Sequence, residues 1–280
     1  MAAIPFTDFG GDGRKLVFLH GNGFPPECYS LLLQQLSRQF HVLGMHSRTM
    51  WQKDVPEDLL SWRIFAHDIT QFLHENSLSD AILLGHSFGG LSALRTLQNH
   101  PNLANPLVMI DPVMVSPQRL LRLWWAQMNQ QQTKSRALQQ GALRRRRNFD
   151  SPEQAIEAYR DKPIFSKFSA AQLAEFTRGL LAKGPDGYTL RIAPEWEAKI
   201  YETAIYKDLD IFLKLPFFRR RALVIWGTES DTLRKDAVHF LQRVNQQFEV
   251  QPIEGGSHLV PFEQPERCAE LTLQFLLEQP

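Results

Sequence analysis

An α/β fold on a doubly wound, mostly parallel sheet follows from two features of this 280-residue sequence. Short runs of Val, Ile, Leu and Phe recur without the strict alternation of a half-exposed strand, as strands buried on both faces require. Stretches with helical spacing of apolar residues separate them, and strands alternating with helices pack as one sheet covered on both sides. With 43% of residues hydrophobic and 22% charged, the chain has the material for a sizeable core.

The expected strands are 15–20, 42–45, 81–84, 107–110, 222–226 and 248–253. The expected helices are 27–39, 59–76, 88–99, 232–247 and 266–278. In the second of these, Trp62, Phe65, Ile69, Phe72 and Leu73 form a single stripe, the pattern of a helix laid on a sheet. The alternation breaks over 113–216, which is rich in Gln, Arg and aromatic residues and shows helical stretches without a convincing strand. That length is too great for a plain loop. A helical cap inserted over one edge of the sheet is expected there, dividing the core into 1–112 and 217–280.

Charge narrows the function. Lys plus Arg number 31 and Asp plus Glu 30, a net +1, which argues against nucleic acid or an anionic membrane as a dedicated partner. The run Arg144, Arg145, Arg146, Arg147 is expected to be a solvated helix face. No apolar run is long enough to cross a bilayer, and the N-terminus lacks the basic and apolar regions of a signal peptide. Cys28 and Cys268 cannot build a disulfide framework; free thiols and a cytoplasmic location are expected. No metal-ligand motif such as His-Glu-x-x-His or Cys-x-x-Cys occurs, so neither metal nor cofactor is expected.

The sharpest signal is Gly85-His86-Ser87-Phe88-Gly89, directly after an apolar run and directly before a helical stretch. A strand-to-helix turn this tight needs glycines on both sides of a strained serine, which is then exposed at its apex as a nucleophile. An ordinary phosphate-cradling turn would carry a Gly-x-Gly-x-x-Gly or a Walker lysine, and neither is nearby.

With three further segments, this motif resembles the α/β-hydrolases. His20-Gly21-Asn22-Gly23-Phe24-Pro25 follows an early strand and is similar to the family's His-Gly oxyanion loop. Trp226-Gly227-Thr228-Glu229-Ser230-Asp231 follows the run where the family's seventh strand carries its acid, and Gly255-Gly256-Ser257-His258 follows the last strand, where the family carries its histidine. The order Ser87, Asp231, His258 is the family's order.

The resemblance implies Ser87 as nucleophile, His258 as base and Asp231 as the acid that orients it. Glu229 and Asp111 remain alternatives for the acid. Asp111 ends the run 107–110, at a position some family members use, and Asp231 could instead cap the helix near Thr232. Oxyanion donors would be the backbone N–H groups of Asn22 and Phe88. His20 and His86 are expected to brace the loops, and Cys28 to be structural.

In the family a cap so placed roofs the nucleophile, so Phe24, Trp124 and Trp125 become candidates for the substrate pocket; the alternative for the tryptophans is the cap's own core. The implied activity is hydrolysis of a small-molecule carboxylic ester. The same triad would serve C–C bond, thioester or lactone hydrolysis, and a catalytically silent binding protein is the remaining alternative.

Overall fold

The computed structural model describes residues 3–51, 54–104, 106–129, 134–203 and 208–278. Its strands in chain order are β1 (Phe6–Gly10), β2 (Lys15–Leu19), β3 (His41–Met45), β4 (Ile82–His86), β5 (Leu107–Ile110), β6 (Asn148–Phe149), β7 (Leu181–Gly184), β8 (Gly187–Leu190), β9 (Ala222–Gly227) and β10 (Phe248–Ile253). The helices flanking the main sheet are α1 (Ser30–Leu36), α2 (Arg63–Glu75) and α3 (Phe88–Asn99) in the first half of the chain. Those between β5 and β9 are α4 (Pro117–Met128), α5 (Lys134–Leu143), α6 (Pro152–Arg160), α7 (Ala170–Leu180), α8 (Pro194–Glu202) and α9 (Asp210–Leu213). The chain ends through α10 (Lys235–Val244), α11 (Val260–Glu263) and α12 (Pro265–Leu277).

The main sheet has the order β1-β3-β2-β4-β5-β9-β10, and β2 through β10 run parallel within it. Only β1 is antiparallel, against β3 at the edge. Its sequence, Phe-Thr-Asp-Phe-Gly, is polar and half-exposed, so it gives no apolar run. Successive residues of the parallel strands feed opposite faces. Val17, Leu83, Met109 and Val224 pack under α2, α3 and α10, whereas Phe18, Leu84, Val108 and Ile225 pack under α1 and α12. Both faces are dry, which explains why these strands read as unbroken apolar runs. Phe18 is fully buried, so its truncation to alanine is worth about 3–5 kcal/mol.

The segment 113–216 is not purely helical. It also holds a small antiparallel sheet, β6-β8-β7. It leaves no apolar run to read because β6 pairs through two residues only, and β7 and β8 are short, joined by a tight turn and partly exposed. The four arginines 144–147 are not a helix face either, since α5 ends at Leu143. Arg145 forms a largely buried ion pair with Glu197 of α8, Arg147 pairs with Glu195, and Arg146 binds the Asn148 carbonyl and Gln154. Among the described residues no helix is long and apolar enough to cross a membrane.

Candidate active site

β4 delivers the chain into the turn at Ser87, and α3 begins at the next residue. Ser87 takes φ 55° and ψ −119°, a conformation costly for any residue with a side chain. Two close approaches demand glycine around it. A Cβ on Gly85 would lie 2.6 Å from the Gly90 nitrogen, and one on Gly89 would lie 2.2 Å from the Leu19 carbonyl oxygen. The end of β5 and the chain just after it hold the strained residue from both sides: Ser87 N–H donates to the Ile110 carbonyl at 2.9 Å, and Val113 N–H donates to the Ser87 carbonyl at 3.3 Å.

Ser87 Oγ lies 2.9 Å from His258 Nε2. The other ring nitrogen, Nδ1, lies 2.6 Å from Asp111 Oδ2. A carboxylate only accepts, so Nδ1 carries the proton toward Asp111 and Nε2 is left to accept from the serine hydroxyl. Asp111 is wholly buried and, like Ser87, takes a positive φ, 41°. Its remaining capacity is filled by Ser230 Oγ–H at 2.6 Å on Oδ2 and by Gly227 N–H at 3.2 Å on Oδ1.

This arrangement corrects the expected acid. Asp231 is an exposed partner of Lys134, at 2.7 Å, and makes no hydrogen bond to His258. The reason lies in the turn after β9. That turn points Ser230 inward, where its Oγ accepts from Thr232 N–H and Leu233 N–H while donating to Asp111. The next side chain, Asp231, therefore faces outward. Glu229, the other alternative, is also exposed and pairs with Lys167 at 2.6 Å. The segment after β9 thus supports a carboxylate from β5 instead of supplying its own.

The oxyanion-loop candidates lie against the inserted segment. Asn22 is buried, and its Nδ2 donates to the Glu197 carbonyl at 3.0 Å. Gly23 has φ 76°, and a Cβ there would lie 2.7 Å from the Glu197 carboxylate carbon. Phe88 opens α3, so its N–H is one of the helix-start donors without an intrahelical partner. Phe24 is half-buried and meets the rings of Phe176 and Phe262 edge-on at 5.3 and 5.7 Å.

Trp124 and Trp125 are corrected as pocket candidates. They stand on the outer surface of α4, 45% and 55% exposed, because Leu120 and Leu123 form that helix's inward stripe. The helical period sets Trp125 opposite that stripe and Trp124 at its outer flank.

A hydrogen-bond chain not visible in the sequence joins the loops. Gly21 N–H donates to Tyr29 Oη at 3.0 Å, and that hydroxyl stands 2.7 Å from His86 Nδ1. His86 Nε2 in turn faces the His258 carbonyl oxygen at 2.9 Å. A carbonyl needs a donor, so His86 is protonated on Nε2 and accepts the tyrosine proton at Nδ1. Burial, then the nearby His258, hold the His86 imidazole well below the ordinary histidine range, which keeps this tautomer neutral. His20 braces the same region, with Nδ1 toward the Gly21 carbonyl at 2.8 Å and Nε2 accepting from Ser47 N–H at 3.3 Å. Burial pushes it down to about 4. Both cysteines are buried free thiols, and burial raises the Cys28 thiol far from the reactive range. Among the described residues no three His, Cys, Asp or Glu side chains are grouped to hold a metal ion.

A buried carboxylate, an imidazole and a serine hydroxyl in series can move a proton off the hydroxyl as it attacks an electrophilic carbon. Comparison with known proteins agrees with the architecture that delivers them. The AB hydrolase superfamily protein YisY of Bacillus subtilis is 22% identical to this chain, covering 96% of it and 94% of its own length. Among solved structures, that of E-2-(acetamidomethylene)succinate hydrolase superposes with a TM-score of 0.75 at 17% identity, covering 97% of this chain and 94% of the other. The esterase Rv0045c from Mycobacterium tuberculosis superposes with a TM-score of 0.73 at 18% identity, over 100% of this chain and 89% of the other. The family model described as the alpha/beta hydrolase family matches residues 16–271, from the second strand to the last helix and through every loop of the site, and the chain belongs to that family.

Proposed function

We propose that the protein is a serine hydrolase that cleaves a carboxylic ester through an acyl-enzyme on Ser87. The observation that carries this is the unbroken series Ser87 Oγ, His258 Nε2, His258 Nδ1, Asp111 Oδ2, with steps of 2.9 and 2.6 Å, at the apex of a strained strand–helix turn. His258 takes the hydroxyl proton as Ser87 Oγ adds to the ester carbonyl. The Phe88 and Asn22 backbone N–H groups receive the negative oxygen of the tetrahedral intermediate. The intermediate collapses to an acyl-serine as His258 returns its proton to the departing alkoxide. A water, deprotonated by the same imidazole, then repeats the sequence and frees the acid. Asp111 holds the Nδ1 proton and the ring orientation throughout.

In this reading 1–112 and 217–280 form the catalytic core, and 113–216 is a cap that meets the oxyanion loop through Glu197 and Asn22. A fluorophosphonate probe tests the nucleophile: peptide mapping should find label on Ser87 and none in Ser87→Ala. Label elsewhere, or unchanged ester turnover by Ser87→Ala, overturns the assignment. Thioesters and lactones share the acyl chemistry, and a panel varying acyl chain and leaving group ranks them against simple esters.

A further inference from the structure

The whole-chain charge balance conceals a strong local bias. From 112 to 149 the chain carries eight cationic residues, Arg119, Arg122, Lys134, Arg136 and the arginines 144–147, and no Asp or Glu. Lys134, Arg145 and Arg147 are taken up by ion pairs with Asp231, Glu197 and Glu195. Arg119 and Arg122, by contrast, face α10 across an open groove of about 900 Å³ lined also by Arg234, Arg243 and His239. The one carboxylate there, Asp236, is bonded to Ser116 and stands 4.0 Å from Arg234. Among the described residues none forms an ion pair with Arg119, Arg122 or Arg243. Burial, then the neighbouring Arg234, weaken the hold of Arg119 on its proton.

Beside this groove α4 bears a second apolar stripe. Leu120 and Leu123 already serve the core. Leu121, Trp124, Trp125 and Met128, at i, i+3, i+4 and i+7, are 65%, 45%, 55% and 65% exposed on the outer side. A helix in water needs one such stripe, and this one has two.

We propose that the outer face of α4, with the arginine groove between α4 and α10, docks the protein on an anionic lipid surface. Leu121, Trp124, Trp125 and Met128 enter the headgroup–acyl boundary, and Arg119, Arg122, Arg234 and Arg243 receive lipid phosphates. Tryptophan and leucine beside arginine match that boundary, where one side of the helix meets hydrocarbon and the next meets phosphate. A second copy of the chain fits less well, because a two-fold contact through α4 would bring its arginines against themselves. A soluble phosphate compound would use the groove and leave the apolar stripe without a role.

Vesicle co-sedimentation of the full chain tests this, and its readout does not depend on hydrolase activity. Wild type should sediment with phosphatidylcholine vesicles containing phosphatidylserine, far less with phosphatidylcholine alone, and less at high salt. Arg119→Gln with Arg122→Gln should weaken partitioning by about 30-fold. Trp124→Ser with Trp125→Ser should weaken it by about tenfold or more, with melting temperature unchanged. Should the tryptophan variant fail to fold, the arginine variant and the salt dependence still decide. Absence of sedimentation, or equal partitioning of wild type and both variants, overturns the proposal. So does calorimetric binding of inorganic pyrophosphate without vesicle binding, or a concentration-dependent dimer abolished by the tryptophan changes.

Discussion

Ser230 Oγ donates, at 2.6 Å, to the same Asp111 oxygen that faces the His258 imidazole. The hydroxyl thus shares the carboxylate's charge, so residues following two separate strands determine how Asp111 meets His258.

Replacing either aspartate separates the candidates for the acid. Asp111→Asn keeps the shape but favours the wrong tautomer of His258, and its kcat on an ester is expected to fall by up to about 10⁴. Asp231→Asn, which removes only an exposed partner of Lys134, is expected to stay within a few-fold of wild type. Steady-state kinetics on the two variants checks this, and the opposite ranking would return the acid to the segment after β9.

Ser230→Ala should lower kcat by about tenfold, the scale of one hydrogen bond to a charged group, with KM little changed. The variant also uncaps the turn at Thr232 and Leu233, so a modest drop in melting temperature is expected alongside. Equal kcat for variant and wild type would show that Asp111 needs no help from β9.

Much of this was legible beforehand. The parallel strands read as apolar runs because they are buried on both faces, and Gly85 and Gly89 marked the elbow because backbone crosses backbone there. What the sequence concealed was conformational. Whether residue 230 or 231 faces inward after β9 depends on a turn geometry that Glu-Ser-Asp does not specify on its own. Tyr29 gave no signal, since it meets His86 only through folding of residues 57 positions apart. Tryptophan spacing on α4 fits an inner and an outer stripe equally well until Leu120 and Leu123 are seen to claim the inside.

Tyr29→Phe removes the hydroxyl between Gly21 N–H and His86 Nδ1, leaving a buried donor and a buried acceptor unpaired. A stability loss of about 1–3 kcal/mol is expected in denaturant melts. Because the affected groups adjoin the Gly21–Asn22 loop and the His258 backbone, kcat should fall while the Ser87–His258 contact remains.

Acid should loosen the fold before it protonates most carboxylates. Burial keeps His20 at about 4, so at pH 5 the unfolded chain binds a proton at this site that the folded chain refuses. Stability from His20 is therefore complete above the ordinary value of 6.5 and is lost as pH falls toward 4, a change of about 2 kcal/mol by pH 5. His86, also depressed, adds in the same direction. Melting temperature should decline from pH 7 to 5, and His20→Gln should flatten that slope. An unaltered slope would show that His20 does not carry it.

Glu197→Ala should strand the Arg145 guanidinium. Burial opposes the charge on Arg145, but Glu197 first and Tyr159 next outweigh it and hold the proton firmly. Removing that carboxylate leaves an uncompensated cation, a cost of about 3–5 kcal/mol that calorimetric melting would report.

Ser87 is clasped by Ile110 and Val113, and Asp111 lies between those two clasping residues. In the proposed reading the nucleophile and the acid therefore stand at the ends of two adjacent central strands, whereas the base arrives on a separate loop after β10, the strand at the rim. Because a rim strand is hydrogen-bonded on one side only, warming should free His258 before the centre melts, so ester turnover should fall, and return on cooling, at temperatures where the core is still folded.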